Sequence, residues 1–193
     1  MTDFFADVPP DDRAAIVDAL YRFGAGQDLR DRALFESAFS PQATLDFTGP
    51  ARKLGAATPV FAGRDVITSS VFGSIGGLDT THTVTNPRVL SYDGRRAALF
   101  ALVEAQHLPR GDHGRHLMLK NVYTLELSRL PEAWVIDRIG LGQPGVCAVI
   151  SNMVDEKQVR ENLAVVTERA TSPNGARPSP ACPPACPEPR PRP

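Results

Sequence analysis

The sequence predicts an α+β domain, with helices gathered at its front and a long antiparallel sheet behind them. Three observations carry that expectation. Residues 9–28 place apolar side chains at helical spacing, and residues 80–141 alternate at strand spacing. Between two of those alternating runs stands Asp93–Gly94, the strongest short hairpin signal in the chain.

The first helix is expected in PPDDRAAIVDALYRFGAGQD, where Pro9–Pro10 and the acidic residues after them suit a helix N-terminus. Ile16, Leu20, Phe23 and Gln27 form one stripe, and Val17, Tyr21, Gly24 and Asp28 the stripe beside it. A second short helix, DRALFESAF, should end before Ser40–Pro41, followed by ATLDF as a short strand. GRDVITSSVFGSI reads as a third helix, opened by Gly63 and closed by Gly76–Gly77. Then come the strands THTVTNPRVLSY, RRAALFALVEAQHL, HLMLKNVYTLELS and AWVIDRIGL, with Pro87 marking an edge position or a bulge in the first.

The expected organisation is an N-terminal extension over 1–10, an α+β domain over 11–154, a C-terminal helix over 155–170 and a disordered tail over 171–193. Nine of the last 23 residues are proline, with no aliphatic or aromatic anchor, so that segment cannot bury enough surface to fold. Its Cys182 and Cys186, with Cys147, fall short of the four ligands a structural zinc site wants. A formal charge of −1 gives no electrostatic reason to expect nucleic acid or an anionic membrane as partner. No apolar run is long enough to span a bilayer, and MTDFFADVPPDD lacks the basic start and apolar core of a secretory signal, so a cytoplasmic location is expected.

Candidate chemistry follows from the register. A two-residue turn at Asp93–Gly94 pairs Tyr92 with Arg95, which sets His82 opposite Ala105 and Asn86 opposite Ala101. His107 then shares a face with His82, diagonal to it. On the next strand Leu117, Leu119, Asn121, Tyr123, Leu125 and Leu127 occupy the apolar side. A four-residue turn sends Trp134, Ile136 and Arg138 to the same interior, whereas one residue of slip replaces Arg138 with Asp137. Asp28 and Tyr21 reach toward this face from the first helix. A few polar groups on an otherwise apolar concave face is the pattern of a small-molecule pocket. The opposite face carries Phe100, Leu102 and Val122, consistent with a homo-oligomer, dimer or trimer.

These residues resemble the SnoaL-like branch of the nuclear transport factor 2-like superfamily, over roughly residues 10–145. The resemblance implies a cone: a curved antiparallel sheet around a pocket closed by helices, a cystatin-like α+β barrel. Its nearest functional likeness is to scytalone dehydratase and bile-acid dehydratase-type enzymes. Their helix-end aspartate matches Asp28 in GQDLRD, and the two pocket histidines of the scytalone enzyme match His82 in TTHTV and His107 in EAQHL. Its pocket asparagine matches Asn121, while its two substrate-side tyrosines fall on Gln27 and Phe47, so that grip on substrate is absent here.

The expected activity is a cofactor-independent dehydration or isomerisation of a small hydrophobic hydroxy-carbonyl compound, polyketide- or steroid-like. Asp28, His82 and His107 supply the acid–base chemistry, and Tyr21, Asn121, Tyr123 and Arg138 bind substrate. The alternatives are a polyketide cyclase of the same fold and a non-catalytic module holding a small ligand. Two histidines and a carboxylate can also form a facial metal site, though no spacing motif favours one. GLGQPG, residues 140–145, fits a nucleotide-loop pattern literally, but Pro144 and the apolar run behind it do not open the required helix.

Overall fold

The computed structural model describes residues 6–142 and 148–151. The helix and tail expected beyond residue 154, all three cysteines and residues 143–145 of the glycine-rich segment lie outside the described residues.

Helix α1 (Pro10–Asp28) carries Pro10 in its first turn with Asp11 and Asp12 beside it. Its stripe of Ile16, Leu20, Phe23 and Gln27 is buried, as its spacing predicts. Helix α2 (Arg32–Ser37) is capped by Asp31, whose carboxylate accepts the Leu34 amide at 2.9 Å. The two helices meet closely at Gly26, where a Cβ would stand 2.5 Å from the Phe35 backbone nitrogen. Phe23, Phe35 and Phe39 cluster there with ring centroids 5.2–5.7 Å apart.

Strand β1 (Phe39–Asp46) begins earlier than expected, because Phe39 already pairs with Ile136 and the Ile136 amide donates to the Ala38 carbonyl. Pro41 sits within a register shift of that pairing, where a missing amide costs no ladder bond. A short helix α3 (Thr48–Lys53), which the sequence does not announce, follows. After β2 (Phe61–Ala62), helix α4 (Arg64–Ser74) opens behind Gly63 at φ 92°. The rest is β3 (Leu78–Tyr92), β4 (Arg96–Pro109), β5 (Leu117–Arg129), β6 (Trp134–Leu141) and β7 (Ala148–Ser151). No helix among the described residues is long and apolar enough to cross a membrane.

The strand order is β2-β1-β6-β5-β4-β3, with β7 pairing β5 beyond the reach of β6. The curved sheet is mixed rather than wholly antiparallel, because β1 runs parallel to β6. Those strands are far apart in sequence, and hairpin signals say nothing about such a pairing. Pro87 lies on edge strand β3 and at a bulge, so both readings of it hold.

The β3–β4 register reaches the expected pairing by another route. The connection spans four residues, so Tyr92 faces Ala97 rather than Arg95. Two bulges on β3 then each absorb one residue, the first between Val89 and Ser91, the second between Thr85 and Arg88, where Asn86 takes φ 52°. His82 consequently faces Ala105 and Val84 faces Val103 as expected, while Asn86 no longer faces Ala101.

A third bulge corrects the reading of Arg138. The four-residue turn into β6 is present and sends Trp134 and Ile136 inward, but the register shifts between Glu126 and Leu127. Beyond it Ile139 and Leu141 face the core, and Arg138 turns to solvent against Glu126 at 3.6 Å. Val122, expected to be exposed, is buried at 3% on the outer side of β5, and Leu102 stands at 36%.

Candidate active site

Asp28 is the last residue of α1, and its carboxylate is taken up by β3. Thr80 Oγ1 donates to it at 2.9 Å, the His82 amide at 2.7 Å, and His82 Nδ1 lies 2.7 Å away. Because β3 ends the sheet, its outward amides have no neighbouring strand among the described residues, and Asp28 satisfies one of them. With donors converging on the carboxylate, Nδ1 carries the ring proton, and Nε2 on the opposite edge of the ring is left as the basic nitrogen. The approach of helix to strand depends on Gly24, where a Cβ would sit 3.1 Å from His82 Cβ.

His82 lines a cavity of about 200 Å³ with His107, Asn121 and Tyr123, all from the concave face of the sheet. The His82 and His107 rings stand edge to face with centroids 6.2 Å apart. Phe23, Leu45, Phe61, Leu119 and Leu141 supply much of the apolar wall. Gln27 and Phe47, the two positions that depart from the scytalone pattern, line it too. Gln27 donates its side-chain amide to the Phe23 carbonyl at 3.0 Å.

Electrostatics separates the polar groups. Burial holds the His107 imidazole below its ordinary pKa, and the neighbouring His82 pushes the same way, against smaller opposing pulls from nearby backbone and Asp28. His107 Nδ1 is buried with no hydrogen-bond partner among the described residues. Burial also pushes the Tyr123 phenol well above its usual range, with the Asp28 carboxylate adding to the effect. Near neutral pH the cavity therefore presents a neutral imidazole at His107 and an intact phenol at Tyr123.

The structure thus brings Asp28, His82, His107, Asn121 and Tyr123 together, turns Arg138 to solvent, and places Tyr21 beside Asp28 and His82 but not in the inner cavity. Tyr21 is 48% exposed and lines an adjoining groove with Gly24, Ala25, Asp28, His82 and Thr83, outside the cavity that holds His107. It lies about two helical turns from Asp28, and α1 meets His82 only at its C-terminal end. Sequence reasoning passed over Thr80, although it sits two residues before His82 and so on the same face. It also passed over Thr58, Ser70 and Ser74, which reach the cavity from the loop after α3 and from α4. Thr58 Oγ1 is buried there without a hydrogen-bond partner among the described residues. As for a facial metal site, the Asp28 carboxylate is already committed to Thr80 and His82, and no metal-holding group of three or more such side chains occurs among the described residues.

Over 121 residues the chain is 34% identical to "Terrestric acid biosynthesis cluster protein E" of Penicillium crustosum, covering 60% of this chain and 71% of that protein. Among solved structures, a Novosphingobium aromaticivorans protein provisionally named an aromatic ring hydroxylase superposes with a TM-score of 0.65 at 19% identity, covering 76% of this chain and 97% of that one. A second protein of that organism, provisionally named a scytalone dehydratase, gives 0.57 at 17% identity, covering 74% and 94%. At such identities the solved structures speak to the fold alone. The SnoaL-like domain family matches residues 10–139, from the start of α1 into β6, and the chain belongs to that family.

Proposed function

We propose that the protein is a cofactor-independent acid–base enzyme that removes water from, or isomerises, a small hydrophobic hydroxy-carbonyl compound. The observation that carries this reading is the 2.7 Å contact between Asp28 and His82 Nδ1, at the wall of an apolar cavity that also holds His107. Dehydratases among the similar folds agree with it.

In this reading His82 Nε2 takes the proton on the carbon beside the carbonyl, and the C–H electron pair becomes the enolate double bond. Asp28 holds the resulting imidazolium in place and is a positioning residue. The Tyr123 hydroxyl and the Asn121 amide are the available donors to the enolate oxygen. For dehydration the enolate reforms the carbonyl as the bond to the departing hydroxyl breaks, and His82 returns its proton to that oxygen, releasing water. His107, neutral near pH 7, steadies the departing oxygen by hydrogen bonding. For isomerisation the same proton returns to a different carbon.

Proton exchange at carbon tests this without knowledge of the natural substrate. In D2O, NMR should show deuterium entering the position beside the carbonyl of compact cyclic ketones and hydroxy-ketones. His82→Gln should slow exchange by about 10²–10⁴-fold, and Tyr123→Phe by about 10–10³-fold. Asp28→Asn should lower kcat with little change in KM. Wild-type exchange no faster than that of His82→Gln would sink the proposal, and ligand binding without exchange would favour the non-catalytic module.

A further inference from the structure

Beyond the cavity that holds His82 lies a second, wider hollow of about 520 Å³. The two adjoin: Phe47, Ser74, Ile75, His107 and Leu119 belong to the walls of both. His107 is thus one of the residues at their junction. The inner chamber is below the usual ~300–1,000 Å³ of small-molecule sites, so by itself it takes only a compact group. The outer one is walled by Leu54, Leu78, Pro109 and Leu117, with Arg115 and His116 at its rim. Along the concave face of β5 the lining runs from Tyr123 and Asn121 through Leu119 to Leu117. From Asn121 to Leu117 that is a distance of about 13 Å.

Chemistry divides along the same line. His82, Asn121, Tyr123 and Thr58 line the inner chamber and not the outer one, whose remaining wall among the described residues is aliphatic as far as its rim. A polycyclic substrate with oxygen distributed over its whole length would set polar atoms against Leu54, Leu78 and Leu117, which offer no partner. A molecule with its oxygen at one end and hydrocarbon at the other matches both chambers.

We propose that the outer hollow is a tail site. The substrate has a compact oxygen-bearing head that sits among His82, Asn121 and Tyr123, and an unbranched acyl or alkyl chain that passes His107 and lies between Leu54, Leu78 and Leu117. The assignment of the head rests on the proposed acid–base reading; the tail site rests on the shared walls and the lining of the two chambers. Burying the chain adds affinity by about fourfold per methylene at most, and the gain stops once the chain reaches the rim.

The test uses the full chain and a homologous series of 1-(2,4-dihydroxyphenyl)alkan-1-ones, from acetyl through butanoyl and hexanoyl to octanoyl, with binding measured by calorimetry. Affinity should rise about tenfold with each added pair of methylenes before levelling. Leu54→Glu, at an outer-wall position that is 42% exposed, should weaken the octanoyl compound about tenfold and leave the acetyl compound unchanged. Leu117→Trp should flatten the series by filling the hollow. Equal affinity along the series in the wild type, or an equal loss for every homologue in Leu54→Glu, overturns the tail site. A rising series in which no homologue exchanges its protons with D2O supports the tail site and counts against the proposed chemistry.

Discussion

At the scale of single residues, the site turns on how a carboxylate at a helix end meets a histidine on a sheet edge. Asp28 and His82 were legible because each belongs to a strong local pattern and to a quoted motif. That the carboxylate bonds His82 rather than His107 was not, because it depends on Gly24 bringing α1 close to β3. Gly24→Ala sets two effects against each other. Alanine favours the helix by about 1 kcal/mol, while a Cβ 3.1 Å from His82 Cβ costs about 1–3 kcal/mol unless the ring moves. The melting temperature should thus change little, while deuterium exchange slows by about 10–100-fold through misplacement of the imidazole. Exchange at the wild-type rate would show that His82 tolerates the displacement. The distance of Tyr21 from the inner cavity was not legible either: a helical stripe gives a side chain's direction about its own helix, but not how far along that helix the sheet makes contact.

At the scale of elements, the strands were legible where alternation is long and unbroken. The inward face of β5, Leu119 to Leu127, follows directly from the sequence, and its outer end at Leu117 lines the tail site. Irregularity was less readable. Pro87 announces its bulge, but nothing in WVIDRIGL announces the one that turns Arg138 outward. Such a bulge arises from how two strands share a curved surface, which neither strand encodes alone. The joint between α1 and α2 has a comparable hidden constraint at Gly26. Gly26→Ala places a Cβ 2.5 Å from the Phe35 amide nitrogen, which is backbone and cannot swing aside as a side chain would. It should destabilise the fold by about 2–3 kcal/mol, measured by urea unfolding, even though alanine is the better helix former. Unchanged stability would mean that α2 shifts freely against α1.

At the scale of the whole molecule, the fold class and the pocket followed from helices first and strands after, but the parallel seam between β1 and β6 did not. The site also leaves a mark on global stability. The folded protein holds the His107 pKa below the unfolded value of about 6.5, so beneath that pH the unfolded chain takes up a proton that the folded chain resists. Stability is therefore fullest above about pH 6.5 and falls as the solution is acidified through the window below it. His107→Gln should lose less stability than the wild type between about pH 7 and 5 when urea midpoints are compared, and parallel profiles would argue against the burial effect. The path from the Asp93–Gly94 turn to His82 has a last consequence. A connection two residues longer than the tightest one is offset by two single-residue bulges, so His82 faces inward because the total of three irregularities is even. The site is addressed by parity. Removing one bulge alone would carry His82 to the outside of the sheet without altering a residue of the pocket, so changes in length along this hairpin are tolerated only in compensating pairs.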